Sequence, residues 1–152
     1  MKSSFRPLST IVLSVLMALF ALPLLAQAQV QVRKLDPQNL YRYWILLNTQ
    51  IKLGAPNSGL NLDKPGCAAV TYMVGSDGVP MDVELVKLVP KSDLGPMAVN
   101  AVSHFRYGPS LTNRNAEPVS TYYIVPFNAP EDKAARQQVI DACKLPGYDS
   151  PH

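Results

Sequence analysis

Two cysteines and two histidines are the residues of this chain best suited to nucleophilic or metal chemistry, and their spacing argues against both. Cys67 and Cys143 stand 76 positions apart, with neither a CxxC spacing nor a nearby histidine pair, so no metal site is expected. A thiol paired with the His104 imidazole would suit covalent catalysis. No acidic residue is spaced to orient His104, however, and a disulfide would consume the thiol. His152 is terminal. Asp82 and Glu84, at i and i+2 on a strand, share a face and could mimic a general acid–base pair, but an exposed strand face explains them better. Asp77 reads as a turn residue. Arg106 is free to meet a partner's acid or to pair internally with Asp82 or Glu84, and the internal pairing is favoured. Phosphate loops, dinucleotide fingerprints and other cofactor motifs are not found. The reading is therefore non-enzymatic, with no cofactor.

The elements that would position these residues begin after a targeting segment. Lys2 and Arg6 precede an uncharged apolar run, Ile11 through Leu25, and Ala26-Gln27-Ala28 then supplies small residues where a signal peptidase reads. Residues 1–28 are expected to be a cleavable signal peptide. The alternative is a retained membrane anchor, since a spanning helix needs about 20 predominantly apolar residues, but Pro23, Gln27 and Gln29 interrupt the end of the run. No cysteine follows closely enough for lipid attachment. Cleavage would leave 124 of the 152 residues, enough for one domain with a modest core. Losing Lys2 and Arg6 brings the 14 basic side chains to 12, against 11 acidic. That near-neutral balance lacks the concentrated positive field of a nucleic-acid binder. A periplasmic location follows, with no stable membrane span after cleavage. In an oxidising compartment the even pair Cys67 and Cys143 reads as a disulfide rather than two separate buried thiols, contributing about 3–4 kcal/mol on a chain-entropy argument.

Along the remaining chain, Asp36-Pro37 reads as a cap and first helical position. Leu40, Trp44, Leu47 and Ile51 recur at helical spacing, which predicts a helix over 38–53 ending at Gly54, with its aromatic residues assigned to packing. Residues 54–66 are rich in turn formers and form a long loop, a candidate mobile or binding segment. Residues 68–74 and 81–89 alternate as strands around Gly75-Ser76-Asp77-Gly78 and predict an antiparallel hairpin. Ser92-Asp93 is a helix cap, and Leu94, Met97, Ala98, Ala101, Val102 and Phe105 make one apolar helical face. That helix starts near Gly95, because Pro96 fits only in a first turn, and Gly108-Pro109 stops it. Residues 119–127 are a third strand and 130–143 a last helix. The order gives an α+β fold: a small antiparallel three-stranded sheet with helices packed on one face, plus extra N- and C-terminal helices.

Residues 67–130 resemble the TonB C-terminal domain family. The matching pieces are Val70-Thr71-Tyr72-Met73-Val74, Ser76-Asp77-Gly78, Asp82-Val83-Glu84-Leu85-Val86, and a helix running into Phe105-Arg106-Tyr107-Gly108-Pro109. Tyr122-Tyr123-Ile124-Val125-Pro126-Phe127 stands as the final strand. They cover about half of the chain beyond the signal segment. The layout implied is signal peptide 1–28, helix and loop 29–66, the TonB C-terminal-like domain 67–130, and helix and tail 131–152. The resemblance implies a periplasmic domain that contacts a protein partner, such as an outer-membrane receptor or another envelope protein, by adding the partner's extended peptide to its sheet edge. A free edge exposes unpaired N–H and C=O groups that such a peptide satisfies. The expected site is Val119, Thr121, Tyr122, Tyr123, Ile124 and Val125, limited at one end by Pro126, which has no N–H. Two alternatives stand beside this reading. One is an inner-membrane-anchored energy transducer that keeps residues 1–28, although the long proline-rich spacer of such proteins is missing here. The other is an accessory protein whose edge is closed by its own last helix.

Overall fold

In a computed structural model, residues 32–48, 54 and 56–148 are described. The expected signal peptide and residues 49–53 of the expected first helix lie outside them. Two strands carry the fold, and their residue choice explains it. β3 (Gly66–Val74) and β4 (Pro80–Val89) are rich in β-branched and aromatic residues and pair antiparallel around the Gly75–Gly78 turn. Asp77 serves that turn as expected, its carboxylate accepting from the Val79 N–H at 3.0 Å. β6 (Val119–Phe127) has the bounds expected from sequence and pairs antiparallel with β3 from Gly66↔Phe127 to Val74↔Val119.

The sheet has a fourth member. β1 (Arg33–Lys34) lies parallel to the start of β6, giving the order β1-β6-β3-β4. The last strand is therefore not the margin of a three-stranded sheet. It is interior along its first residues and open only beyond them.

The helices lie on both faces, not one. Ala68, Val70, Tyr72 and Val74 of β3 join Ala98, Val102 and Phe105 in the main core, under α1 (Gly95–Ser103). The alternate residues Cys67 and Ala69 point the other way and meet Tyr122 and Cys143, with Val139 of α2 (Lys133–Asp141) packed beside them. Both faces are thus covered near the start of β3, which is buried continuously from Gly66 to Val70. The expected disulfide is present, with Cys67 and Cys143 joined at 2.02 Å and each at most 1% exposed. It fastens the segment after α2 to the second face, and α2 itself has no buried residue.

Three local expectations are corrected. The helix expected from 38 onward is a short 3-10 helix, Pro37–Arg42, capped by Asp36, after which the chain extends into β2 (Trp44–Leu46). β2 pairs antiparallel with β5 (Tyr107–Pro109), and that pairing overrides the helical spacing. Ser92 and Asp93 do not cap α1. Pro96 pulls the start to Gly95, and Leu94 occupies the cap position without a side-chain bond. The Asp93 carboxylate accepts instead from the Leu60 N–H at 2.7 Å. With Asn61 donating to the Lys91 carbonyl at 2.8 Å and Asn128 to the Leu62 carbonyl at 2.7 Å, residues 60–62 of the long loop, the candidate mobile or binding segment, are tied to the ends of β4 and β6. The third correction concerns the N-terminal segment, which is no appendage: Leu35, Leu40 and Trp44 belong to the main core.

Candidate functional site

The open part of β6 is set by where β1 stops. The Leu35 N–H donates to the Ser120 carbonyl at 2.8 Å, and the Thr121 hydroxyl donates to the Leu35 carbonyl at 2.8 Å. A parallel ladder repeats every two residues, so the next rung would need an N–H at position 37 for the Tyr122 carbonyl. Pro37 has none, and the Asp36 carboxylate accepts from the Gln38 N–H at 2.8 Å to turn the chain into the 3-10 helix. Since Ser120 faces β1, alternation turns the backbone groups of Tyr122, Ile124 and Pro126 the same way, while Thr121, Tyr123, Val125 and Phe127 face β3. Among the described residues no backbone bond reaches that side of β6 after Ser120. Pro126 sits where its missing N–H costs no rung to β3.

The expected site residues divide accordingly. Val119 and Thr121 are 2% and 0% exposed and lie where the N-terminal segment is already docked. Tyr122 is buried as a whole residue, at 3% exposure, Tyr123 is 39% exposed, and Ile124 and Val125 are half-buried. α2 lies on the face beside this edge and does not pair along it.

Two hollows flank the open edge. On the α1 face, a cavity of about 200 Å³ is walled by Leu40, Tyr41, Trp44, Leu46, Tyr72 and Tyr107. On the other side, one of about 300 Å³ is bounded by Asp36, Gln38, Gln137, Ile140 and Lys144. Pro37, Tyr122 and Tyr123 contribute to both. The first hollow carries no formal charge. Its two buried hydroxyls, on Tyr72 and Tyr107, bond to each other at 2.6 Å. Burial pushes the Tyr107 phenol up to about 12 and the Tyr72 phenol well above its usual range, so both stay neutral at physiological pH. Trp44 closes the wall, its indole N–H donating to the Glu117 carbonyl at 3.1 Å.

The residues considered for catalysis do not converge. The disulfide takes up both thiols. His104 is exposed at the end of α1, with Nδ1 against the Asn100 carbonyl at 2.7 Å. Arg106 is exposed and donates to the Ser103 and Phe105 carbonyls, at 3.1 and 2.6 Å, so the expected pairing with Asp82 or Glu84 is not made. The helix-end carbonyls already sit within reach of its guanidinium. Asp82 and Glu84 are exposed on β4. Among the described residues, no three His, Cys, Asp or Glu side chains come together as a metal site, and no helix is long and apolar enough to cross a membrane.

β4 forms the opposite margin of the sheet and is ten residues long. Two register shifts interrupt its pairing, Asp82 takes a positive φ of 50°, and Glu84 and Lys87 place charges along it. These features blunt an edge against pairing. β6 has no register shift against β3.

Sequence reasoning missed the aromatic hollow. The helical spacing puts Tyr41 and Trp44 in packing, which holds for Trp44 at 1% exposure but not for Tyr41 at 64%. The available signal was Pro37, which ends a rung as well as opening a helix. No family model matches the chain, and no curated protein matches it.

Proposed function

We propose that this chain is an exported, non-enzymatic protein-interaction domain of the cell envelope that binds an extended peptide along β6 from Tyr122 to Val125. The observation that carries the reading is the early end of β1, before Pro37, which leaves the Ile124 N–H and C=O without a backbone partner on the side of β6 away from β3, between two hollows. An incoming strand would satisfy those groups and continue the line that β1 begins. The resemblance to the TonB C-terminal domain family supports the same mode and suggests an outer-membrane receptor or another envelope protein as the partner. The disulfide is compatible with an oxidising compartment. N-terminal sequencing of the mature protein distinguishes the exported form from an anchored transducer.

The binding test is amide hydrogen exchange with a peptide selected from an extended-peptide library. The Ile124 amide gains protection on binding, whereas Thr121, Tyr123 and Val125, already paired to β3, change little. Ile124→Pro removes the outward N–H and abolishes binding, and because it also replaces a side chain packed against Tyr122 and the disulfide, Ile124→Ala serves as the control and the fold is checked by circular dichroism. A peptide that binds without protecting Ile124 refutes the edge as the site.

A further inference from the structure

We infer that the aromatic hollow reads one side chain of the docked peptide and selects a bulky apolar or aromatic residue over an acidic one. This rests on the strand-addition reading above and adds to it the chemistry of the partner. A strand laid against the open edge sends alternate side chains to opposite faces. A residue opposite Tyr123 shares the face of Tyr123 and Val125, which is the face of the hollow formed with Tyr41, Trp44 and Leu46. Its neighbours on either side point to the other hollow, where Tyr122, Ile124 and Ile140 lie among Asp36, Gln38, Gln137 and Lys144.

The occupant is fixed as an extended chain because the wall between the hollows is a strand edge with outward amide groups. A drug-sized ligand typically fills about 300–1,000 Å³, so the aromatic hollow, at about 200 Å³, suits a single large side chain better. The chemistry then selects. The lining offers aromatic and aliphatic surface and no cation. The Tyr72 and Tyr107 hydroxyls are engaged with each other at the buried end, so an entering carboxylate would lose its water and find no compensating charge. A phenyl or isobutyl group loses nothing comparable and buries its surface. The partner segment therefore carries a bulky apolar residue opposite Tyr123.

The test uses a seven-residue host peptide of alternating threonine and serine with one central guest: phenylalanine, leucine, serine or aspartate. Two readouts separate the claims. The Ile124 amide resonance reports docking on the edge, and emission from Trp44, the chain's single tryptophan, reports occupation of the hollow. The phenylalanine and leucine peptides are expected to bind roughly tenfold or more tighter than the aspartate peptide, the ratio that burying such a side chain corresponds to, and to shift Trp44 emission. Tyr41→Ser opens the exposed rim of the hollow and brings the guests to within a few-fold of one another, while Ile124 still responds. If all four guests bind equally and Trp44 stays silent while Ile124 responds, the side-chain selection is wrong and strand addition stands. If no peptide perturbs Ile124, both fall.

Discussion

The Tyr72 hydroxyl on β3 meets the Tyr107 hydroxyl on β5 at 2.6 Å, with the two rings stacked at 6.2 Å. Phe105 stands edge-on to both, its ring centroid 6.4 Å from Tyr72 and 6.1 Å from Tyr107. The cluster joins the four-stranded sheet to the β2–β5 ribbon, and each hydroxyl provides the partner that burial of the other demands.

This pair sets an alkaline limit on stability. Burial raises both phenols, Tyr107 to about 12, and the charge of Tyr107 adds to the rise at Tyr72. Below pH 10 both are neutral in the folded and unfolded chain, so they give no pH dependence. Between pH 10 and 12 the unfolded chain releases these protons while the folded chain keeps them. The folded state then binds more protons, and stability falls as pH rises. Tyr107 alone accounts for about 2 kcal/mol by pH 12. Urea unfolding at pH 8 and pH 11 measures the slope. In the Tyr72→Phe, Tyr107→Phe double variant it is smaller, and an unchanged slope would rule the pair out as its source.

The disulfide acts on a helix that the core barely holds. α2 buries no residue of its own, and behind it Tyr148 packs edge-on against Tyr122 at 4.8 Å. Replacing both Cys67 and Cys143 with serine frees a link spanning 76 residues and costs about 4 kcal/mol. Hydrogen exchange is the discriminating measurement, because loss of the link deprotects α2 while β3 and β6 remain slow. Equal protection of α2 in both proteins would mean that Leu145 and Tyr148 dock it without the link.

Much of this was legible in the sequence where local chemistry and tertiary packing agree. The Asp77-Gly78 turn, the alternation through β3 and β4, the apolar face from Leu94 to Phe105, and the Val119–Phe127 strand all follow local periodicity. Trp44 to Asn48 did not, because their conformation is set from a distance. The Leu47 N–H donates to the Arg106 carbonyl at 2.8 Å, and the Asn48 side chain both donates to the His104 carbonyl and accepts from the Arg106 N–H, each at 2.7 Å. A segment spaced like a helix is held straight by residues some sixty positions later, which no local pattern encodes. β1 escaped notice for a related reason. Two residues in parallel register with Val119 and Ser120 carry no alternation to detect, yet they decide how much of the candidate site is open. The hollow beside that opening draws on the 3-10 helix, β2, β3 and β5 at once, so its lining could not be assembled from any one segment.

Gly78 illustrates a position where two demands coincide, and it gives the sharpest stability test. Its φ of +77° is the conformation the Asp-Gly turn requires. It also lies against β5: a Cβ there would come within 2.0 Å of the Tyr107 carbonyl oxygen, and the Gly78 carbonyl accepts from the Tyr107 N–H at 2.9 Å. Gly147 shares the positive φ, at +81°, but a Cβ there meets nothing within 4 Å. Gly147→Ala therefore carries only the backbone penalty, of order 1 kcal/mol. Gly78→Ala adds a backbone overlap that only displacement of β5 can relieve, and its cost should reach about 3 kcal/mol or more. Denaturant midpoints of the two variants separate strain from contact. Similar losses would mean that β5 moves aside freely, and the Tyr72–Tyr107 pair should then be lost from the alkaline titration and near-ultraviolet spectrum of Gly78→Ala while persisting in Gly147→Ala.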